Sequence, residues 1–313
     1  MMTMKKVFID GSAGTTGLRI HDRLNARSDL ELLTLPDEQR KDPECRLLAM
    51  KQADVVFLCL PDAAAIEAES LIDQTEAIVL DTSTAHRTAD GWCYGFPELS
   101  EERKAAITRS KRIAVPGCHA SGFIALVWPL VEAGILAPDA LLTCHSLTGY
   151  SGGGKSMIAD YTREGRNPLL DSPRQYGLTQ QHKHLKEMRH IAGLKEFPIF
   201  CPIVADFYSG MEVTVPLFRS QLQNGAGADD IRAVYAKKYK GPILSYRETM
   251  EEGGFLASNL FTGKDCMAVS VSGNEERILL TAVYDNLGKG ASGAAIQNMN
   301  LTLGVDETCG LVI

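Results

Sequence analysis

The sequence predicts an α/β protein in which a parallel-sheet domain precedes an α+β domain with a mainly antiparallel sheet. In the first third of the chain, short runs of β-type apolar residues alternate with helical stretches such as Ala63 to Gln74, as βαβ units require. Farther along, apolar and polar residues alternate one by one, most clearly from Met211 to Leu217, which indicates a sheet with one covered face. At 313 residues, 45% of them hydrophobic, the chain is long enough to bury two cores.

The same patterns predict the individual elements in order. The parallel strands are expected at Lys6–Asp10, Leu30–Leu35, Val55–Leu60, Ala77–Asp81 and Arg112–Val115. In the second domain, Val269–Val271 and Ile278–Tyr284 flank Ser-Gly-Asn-Glu-Glu and predict a hairpin. The last segment, Gly290 to Gly304, has helical spacing and is expected to pack back on one of the two domains.

Charge and apolar runs exclude several classes of protein. A formal net charge of -7 argues against a nucleic-acid partner, because neutralising phosphates takes clustered Lys and Arg. The apolar run from Phe123 to Val131 is far shorter than the ~20 residues of a membrane span, so no membrane partner is expected. Lys5 and Lys6 precede only Val-Phe-Ile before Asp10, which is too short for a secretory signal, and the predicted location is therefore cytoplasmic.

The first motif with chemical meaning is Gly11-Ser12-Ala13-Gly14-Thr15-Thr16-Gly17, which follows a predicted strand and opens a helix. Small residues there let backbone N–H groups approach a pyrophosphate at the helix N-terminus. The hydroxyls of Ser12, Thr15 and Thr16 add possible donors. The motif predicts a Rossmann-like dinucleotide-binding domain, with a simple tight turn as the alternative.

Charged residues after the second strand bear on the choice of cofactor. A lone acid there favours NAD, whereas a base favours the 2'-phosphate of NADP. Asp37 and Glu38 stand beside Arg40 and Lys41. The two bases predict NADP, although a solvated charged loop would have the same composition.

Among the eight cysteines, Cys118 has the setting of a nucleophile. The eight contain no C-x-x-C pair, so neither a metal site nor a disulfide framework is expected. Cys118 lies in Pro-Gly-Cys-His-Ala-Ser-Gly, between a predicted strand and a helix expected to begin near Ser121. A thiolate at a helix N-terminus is stabilised by unpaired N–H groups and by the helix dipole. A buried, inert cysteine is the alternative.

A third constellation is His182-Lys183-His184-Leu185-Lys186-Glu187, placed within a helix predicted from Thr179 to Ala192. His184 and Glu187 are three residues apart and would share a helix face, so the carboxylate could orient the imidazole. Two exposed histidines on a charged helix would give the same pattern.

The segment from Gly149 to Ser156 fits the P-loop pattern G-x-x-x-x-G-K-[ST]. The apolar run before it could supply the required strand. The residues after it, however, predict antiparallel strands rather than the parallel core that surrounds a P-loop, so a P-loop NTPase is kept only as an alternative.

Five blocks of the sequence resemble the N-acetyl-gamma-glutamyl-phosphate reductases, and more closely their shorter form. The resemblance covers nearly the whole chain, and its strongest blocks are Gly11–Gly17, Asp81–Arg87, Tyr94–Leu99, Pro116–Cys118 and Asp285–Asn300. The family's glycine loop is similar to Gly149–Lys155. Its His-x-His motif is similar to His182–Glu187, with Lys186 where the commoner form has Pro.

The resemblance implies an NADPH-dependent reduction of N-acetyl-gamma-glutamyl phosphate to the semialdehyde, within arginine biosynthesis. Cys118 would displace phosphate to form a thioester, which accepts a hydride. His184, oriented by Glu187, would serve as acid and base, and His182 would lie closer to the substrate oxygen. Such proton transfers suit a histidine near neutral pH.

Ligand-binding residues and domain bounds complete the expectations. The cofactor is assigned to Gly11, Ser12, Gly14, Thr15, Thr16, Gly17, Arg40, Lys41, Pro61, Ser83 and Asn286, and the substrate to Arg87, Ser151, Gly152 and Lys155. Residues 1–117 form the predicted NADP domain, to which a C-terminal helix, 290–313, returns, and 118–289 form the catalytic and oligomerisation domain. The partner is a small acyl phosphate, and a homodimer or homotetramer is the usual family arrangement. Alternative functions are an aspartate-semialdehyde dehydrogenase-like enzyme and a cofactor-free hydrolase using Cys118.

Overall fold

The computed structural model describes residues 4–12 and 14–313. Two compact units divide the chain between Pro116 and Gly117. The first unit runs to Pro116 and includes Ala291–Leu311, and the second comprises Gly117–Gly290 with the last two residues.

The first unit contains a six-stranded sheet whose paired strands are all parallel. Its strands are β1 Lys5–Asp10, β2 Leu30–Leu33, β3 Val55–Leu58, β4 Ile78–Asp81, β5 Cys93–Tyr94 and β6 Arg112–Ala114, in the order β2-β1-β3-β4-β6-β5. Its helices are α1 Thr15–Asn25, α2 Pro43–Gln52, α3 Asp62–Ile72, α4 Glu101–Arg109 and the last helix of the chain, Gly293–Leu303. The predicted parallel sheet is confirmed, and the two-residue strand β5 is an addition that was too short for its pattern to reveal.

Both faces of this sheet are covered, which explains why its strands are nearly continuous apolar runs. All four residues of β3 are completely buried. One face packs against Ile20 and Leu24 of α1 and against Met299 of the last helix, and the opposite face packs against Met50 of α2. The last helix is also tied by hydrogen bonds, since the Asn298 side chain donates to the carbonyl of Gly95 at 2.9 Å.

The second unit is built on a seven-stranded sheet that is mainly antiparallel, as predicted. Its strands are β7 Thr143–Gly149, β8 Arg174–Gln175, β9 Ile199–Ala205, β10 Met211–Phe218, β11 Leu244–Tyr246, β12 Met267–Gly273 and β13 Arg277–Tyr284, in the order β11-β12-β13-β10-β7-β9-β8. The β12–β13 hairpin is antiparallel, whereas β7–β9 and β11–β12 are parallel pairs. Its helices are α5 Cys118–Glu132, α6 Gly154–Thr162, α7 Leu185–Ala192 and α8 Ala228–Lys238.

Two predicted helix starts are wrong, and both errors concern functional motifs. Helix α5 begins at Cys118 rather than near Ser121, because Ser121 already closes the first turn by donating to the Gly117 carbonyl at 2.9 Å. Helix α7 begins at Leu185 rather than Thr179. The preceding segment is held as turns, since Gln180 has a φ of 57° and its side-chain amide forms two hydrogen bonds with the backbone of Phe200.

Candidate active site

Cys118 is the first residue of the largely buried helix α5, and Gly117 is its N-cap. The N-cap has extended backbone angles, φ −75° and ψ 146°, so the chain enters the helix with its first N–H groups pointing outward. The Cys118 residue is partly exposed. A partly exposed cysteine at a helix N-terminus is suited to forming and using a thiolate.

Two residues far along the chain fix the position of Cys118. The Tyr284 hydroxyl donates to the Cys118 carbonyl at 2.5 Å and accepts from the Gly122 amide at 3.0 Å. Gly290 packs directly on the cysteine, because a Cβ there would lie 3.1 Å from the Cys118 Cβ. The local sequence around Cys118 gives no sign of either contact.

Three imidazoles lie next to this turn, and only His182 and His184 were expected from the sequence to take part in the reaction. The ring centroids are 4.8 Å apart for His182 and His184, 5.5 Å for His119 and His184, and 5.7 Å for His119 and His182. His182 Nδ1 accepts a hydrogen bond from the His184 amide at 3.2 Å. When His182 is neutral, its proton therefore lies on Nε2.

His184 does not lie within a helix as predicted, because it is the N-cap residue of α7. Glu187, in the first turn of α7, is almost fully buried, and its carboxylate accepts a hydrogen bond from the Gly117 amide at 3.1 Å. Glu187 thus connects α7 to the N-cap of the cysteine helix. The orientation of His184 by Glu187 stays a prediction.

His119 is fully enclosed and belongs to a chain of three hydrogen-bonded groups. Its Nδ1 lies 2.6 Å from the Ser146 hydroxyl and its Nε2 lies 2.7 Å from the Tyr176 hydroxyl. The edge of the imidazole also meets the Phe200 ring, at 5.3 Å between centroids. Burial, followed by the nearby His182, lowers the pKa of His119 to about 3, so its ring is neutral at physiological pH.

The glycine loop after β7 is organised by backbone contacts and by Asn286. The loop forms a 3₁₀ turn, Tyr150–Gly153, before α6 begins at Gly154. Asn286 accepts from the Gly210 amide at 2.9 Å and donates to the hydroxyl of buried Ser151 at 3.0 Å. Asn286 was assigned to the cofactor, and the structure places it against this loop of the second unit.

The other residues assigned to the substrate have different surroundings. Gly152 lies in the 3₁₀ turn and Lys155 lies in the first turn of α6, and both residues are exposed. Arg87 is buried in the first unit, where its guanidinium donates to the carbonyls of Val115 and Thr82 at 2.9 and 3.1 Å. At least two of its N–H groups therefore hold the carboxyl ends of β4 and β6 together.

In the first unit, a cavity of about 460 Å³ opens at the carboxyl ends of β1, β2 and β3. It is lined by Phe8, Ile9, Asp10, Gly11, Ser12, His21, Leu32, Leu33, Thr34, Leu35, Asp37, Arg40, Lys41 and Leu60. Arg40 forms an ion pair with Asp37 at 2.9 Å. The cavity thus joins glycine-loop residues to both predicted bases, and its apolar walls and cationic rim fit the adenosine part of NADP.

The three glycines of the first motif are not equally constrained. At Gly11, where φ is 88°, a Cβ would lie 2.4 Å from the Cys59 carbonyl oxygen, and at Gly17 a Cβ would lie 2.5 Å from the Gly11 oxygen. Gly14, the N-cap of α1, leaves ordinary contact distances of 3.5 Å or more. Gly11 and Gly17 are thus needed for the turn itself, whereas the turn has room for a Cβ at Gly14. The contact of Gly14 with the cofactor stays a prediction. Ala13 and the side chain of Thr15 lie outside the described part of the chain.

The last two residues assigned to the cofactor lie after neighbouring strands. Pro61 is the N-cap of α3, three residues beyond the end of β3. Ser83 follows β4, and its hydroxyl donates to Asp81 at 2.6 Å. The same carboxylate lies 2.6 Å from His86 Nδ1. Ser83 is thus part of a buried polar network that fixes the turn after β4.

Known protein families and solved structures are similar to both units of this chain. Residues 11–107 match the family model described as semialdehyde dehydrogenase, NAD binding domain, and residues 118–286 match semialdehyde dehydrogenase, dimerisation domain. The aspartate semialdehyde dehydrogenase II of Vibrio cholerae, complexed with ASA, has the same fold, with a TM-score of 0.71 at 14% identity over 96% of this chain and 98% of that one. The aspartate semialdehyde dehydrogenase of Candida albicans, solved with NADP, gives a TM-score of 0.67 at 15% identity over 95% and 98% of the two chains. Fold and matched domains together define the class as the semialdehyde dehydrogenases.

Closer relatives narrow this class. The N-acetyl-gamma-glutamyl-phosphate reductase 2 of Nostoc sp. is 42% identical over 99% of this chain and all of its own, and the N-acetyl-gamma-glutamyl-phosphate reductase of Chelativorans sp. is 45% identical over 95% and 98%. The chain belongs to the N-acetyl-gamma-glutamyl-phosphate reductase family. The hypothesis of a P-loop NTPase is therefore wrong: the glycine loop follows β7, which pairs antiparallel with β10 in a mainly antiparallel sheet.

Proposed function

We propose that the protein reduces N-acetyl-gamma-glutamyl phosphate to N-acetyl-glutamate semialdehyde with NADPH and releases phosphate. The observation that carries this proposal is the placement of Cys118 at the N-terminus of α5, with His182 and His184 beside the same turn. Family membership at more than 40% identity supports the same substrate.

The proposed reaction has two halves, and side chains of this protein act in both. The Cys118 thiolate attacks the acyl carbon, a C–S bond forms, and the C–O bond to phosphate breaks. NADPH, when bound, supplies the hydride that reduces the acyl carbon. His184 removes the thiol proton in the first half and protonates the tetrahedral oxyanion in the second. As the carbonyl re-forms, His184 takes that proton back while the C–S bond breaks, so the aldehyde is released and Cys118 leaves as the thiolate. His182, with its proton on Nε2, serves as a donor to the substrate oxygen.

The substrate phosphate is assigned to the glycine loop, with Lys155 as its cation. Ser151 and Gly152 belong to the 3₁₀ turn, which the Asn286 side chain holds in place. Such a turn followed by a helix presents backbone N–H groups to an anion. Arg87 is also assigned to the substrate phosphate, for which a guanidinium is a suitable cation.

The reverse reaction tests the proposed function. Purified enzyme is mixed with NADP, phosphate and N-acetyl-glutamate semialdehyde, and NADPH formation is followed by absorbance. We expect turnover that requires all three components, and at least about 10²-fold lower kcat/KM with aspartate semialdehyde, because a site that binds the acetyl amide loses those contacts. Formation of NADPH mainly from aspartate semialdehyde would identify the alternative dehydrogenase. No NADPH from either aldehyde would leave a hydrolase.

The preference for NADP is assigned to Arg40 and Lys41, which line the cavity of the first unit. When NADP binds, the doubly charged 2'-phosphate would replace Asp37 as the ion-pair partner of Arg40. Binding of NADPH and NADH is compared in the wild type and in an Arg40→Ala, Lys41→Ala double variant. We expect NADPH affinity to fall by about 10-fold or more while NADH affinity changes little. An unchanged preference would mean that the 2'-phosphate is held elsewhere.

We further propose that the enzyme acts as a homodimer or homotetramer in the cytoplasm. The match of residues 118–286 to a dimerisation domain supports the assembly, which sedimentation velocity of the purified chain measures. In the part of the chain that the structure describes, no helix combines the length and the apolar character of a membrane span. The cytoplasmic location stays a prediction that cell fractionation tests.

A further inference from the structure

Ser146, His119 and Tyr176 are linked by two hydrogen bonds. The positions of the heavy atoms do not show which group donates in each bond. A neutral imidazole carries one proton, so one of its nitrogens donates and the other accepts. Either Nδ1 donates to Ser146 and Nε2 accepts from Tyr176, or Nδ1 accepts from Ser146 and Nε2 donates to Tyr176. The two arrangements leave the Tyr176 hydroxyl proton pointing in opposite directions.

The surroundings of Ser146 select between these arrangements. Ser146 lies on β7, is completely buried, and among residues 4–12 and 14–313 its hydroxyl has His119 Nδ1 as its one hydrogen-bonding partner. If Nδ1 donated, the Ser146 proton would be buried without an acceptor, which is costly. If Ser146 donates to Nδ1, both buried members of the network, Ser146 and His119, are satisfied. The imidazole proton then lies on Nε2 and is donated to the Tyr176 oxygen.

This arrangement leaves the Tyr176 proton free to be donated away from His119. Tyr176 is only partly buried, so its proton has access to solvent or to a ligand. The phenol belongs to the same group of rings as His182, at 5.9 Å between centroids, and His119 directly follows Cys118. Burial, followed by the nearby Cys118, raises the pKa of Tyr176, so the phenol keeps its proton.

We propose that Ser146 and His119 are positioning residues that hold Tyr176 as a hydrogen-bond donor toward the substrate oxygen beside Cys118. The inference rests on the proposed function, because the acceptor is the oxygen of the bound acyl group. His119 acts through its fixed tautomer rather than by exchanging protons. His119, which is next to Cys118, thus stays neutral and fixes the orientation of the Tyr176 hydroxyl, while His184 carries out the proton transfers.

Neutron diffraction from crystals of the perdeuterated enzyme tests the tautomer directly, without substrate or turnover. We expect a deuteron on Nε2 of His119, none on Nδ1, and the Ser146 deuteron directed at Nδ1. A deuteron on Nδ1 would overturn the proposal. Because this measurement needs no activity, it decides the arrangement even if the proposed reaction is wrong.

A double-mutant cycle then tests the functional consequence. We expect Tyr176→Phe to lower kcat by about 10²-fold, as the loss of one donor to a developing oxyanion does, and Ser146→Ala to lower it by about 10-fold because the tautomer is released. In the Tyr176→Phe background, Ser146→Ala should cost nothing further, and the KM for NADPH should stay constant throughout. Equal losses in both backgrounds would mean that Ser146 matters only for the fold. Ser270→Ala, at a buried serine of β12 in the same sheet, is the matched control and should keep full activity.

Discussion

Cys45 and Cys118 both lie in the first turn of a helix, yet the N-caps of the two helices differ. Cys45 is in the first turn of α2, whose N-cap Asp42 accepts hydrogen bonds from the amides of Glu44 and Cys45. Desolvation first, and then the charges of Asp42 and Glu44, raise the pKa of Cys45. In α5, the N-cap is Gly117, which has no side chain to occupy the helix end. We therefore expect the helix dipole alone to be insufficient to make a nucleophile, because a carboxylate cap takes the same N–H groups and opposes the thiolate.

Replacing each of the two thiols gives the largest expected difference. Cys118→Ser should lower reductase activity by at least about 10³-fold, because a serine hydroxyl at this turn is too weakly acidic to form the acyl intermediate. Cys45→Ser should leave activity within about 2-fold of the wild type. Steady-state rates and NADPH binding of the two variants are measured side by side. Appreciable reduction by Cys118→Ser, with NADPH binding intact, would rule out the covalent route.

The second difference between the surroundings of Cys118 and those of Cys45 is the group of histidines near Cys118. We expect His184→Asn to lower kcat by about 10²- to 10⁴-fold, in the range of general acid–base catalysis, and His182→Asn to lose less or to act mainly on the substrate KM. The pH dependence of kcat/KM should also lose one ionisation in His184→Asn. If the pH–rate profile of His184→Asn matched that of the wild type, His184 could not be the acid and base.

Gly290 tests how tightly the position of Cys118 is held. A Cβ at this position would lie 3.1 Å from the Cys118 Cβ and 3.2 Å from the Asp285 carbonyl oxygen, so the cysteine must shift by a few tenths of an ångström. We expect Gly290→Ala to lower kcat by about 10-fold, since small misplacements of a reacting group are costly. Gly227→Ala is the control, because a Cβ at Gly227 meets nothing within 4 Å among the described residues. Equal kcat for the two variants would show that Cys118 tolerates the shift.

The smallest expected effect concerns the thiol of Cys45. Asp42→Asn keeps an N-cap acceptor of similar strength but removes a charge that raises the Cys45 pKa. Since alkylation requires the thiolate, the rate of Cys45 modification at a given pH should rise by about 2- to 5-fold, and its pH midpoint should move downward. Mass spectrometry after timed iodoacetamide treatment measures both thiols, with Cys118 expected to react first. If Cys45 is alkylated at the same rate in Asp42→Asn as in the wild type, desolvation alone sets the pKa of Cys45.

The sequence by itself determined the two kinds of sheet, the dinucleotide turn and the candidate nucleophile, because each depends on local pattern. Alternation of apolar residues sets which face of a strand is covered, and small residues between a strand and a helix set the turn. Helix starts were harder to predict even locally. The turns before α7 are stabilised by Gln180, whose side chain bonds Phe200, a residue 20 positions away.

Tertiary structure alone decided what surrounds Cys118. Glu187 reaches the Gly117 amide across 70 positions, and the Tyr284 hydroxyl reaches the Cys118 carbonyl across 166. The partners of His119 are equally remote: Ser146 lies 27 positions away and Tyr176 lies 57. No period or spacing in the sequence encodes such contacts, because they arise only when separate strands and helices pack into one core. The chemistry of the site therefore depends on residues whose types were visible in the sequence but whose partners were not.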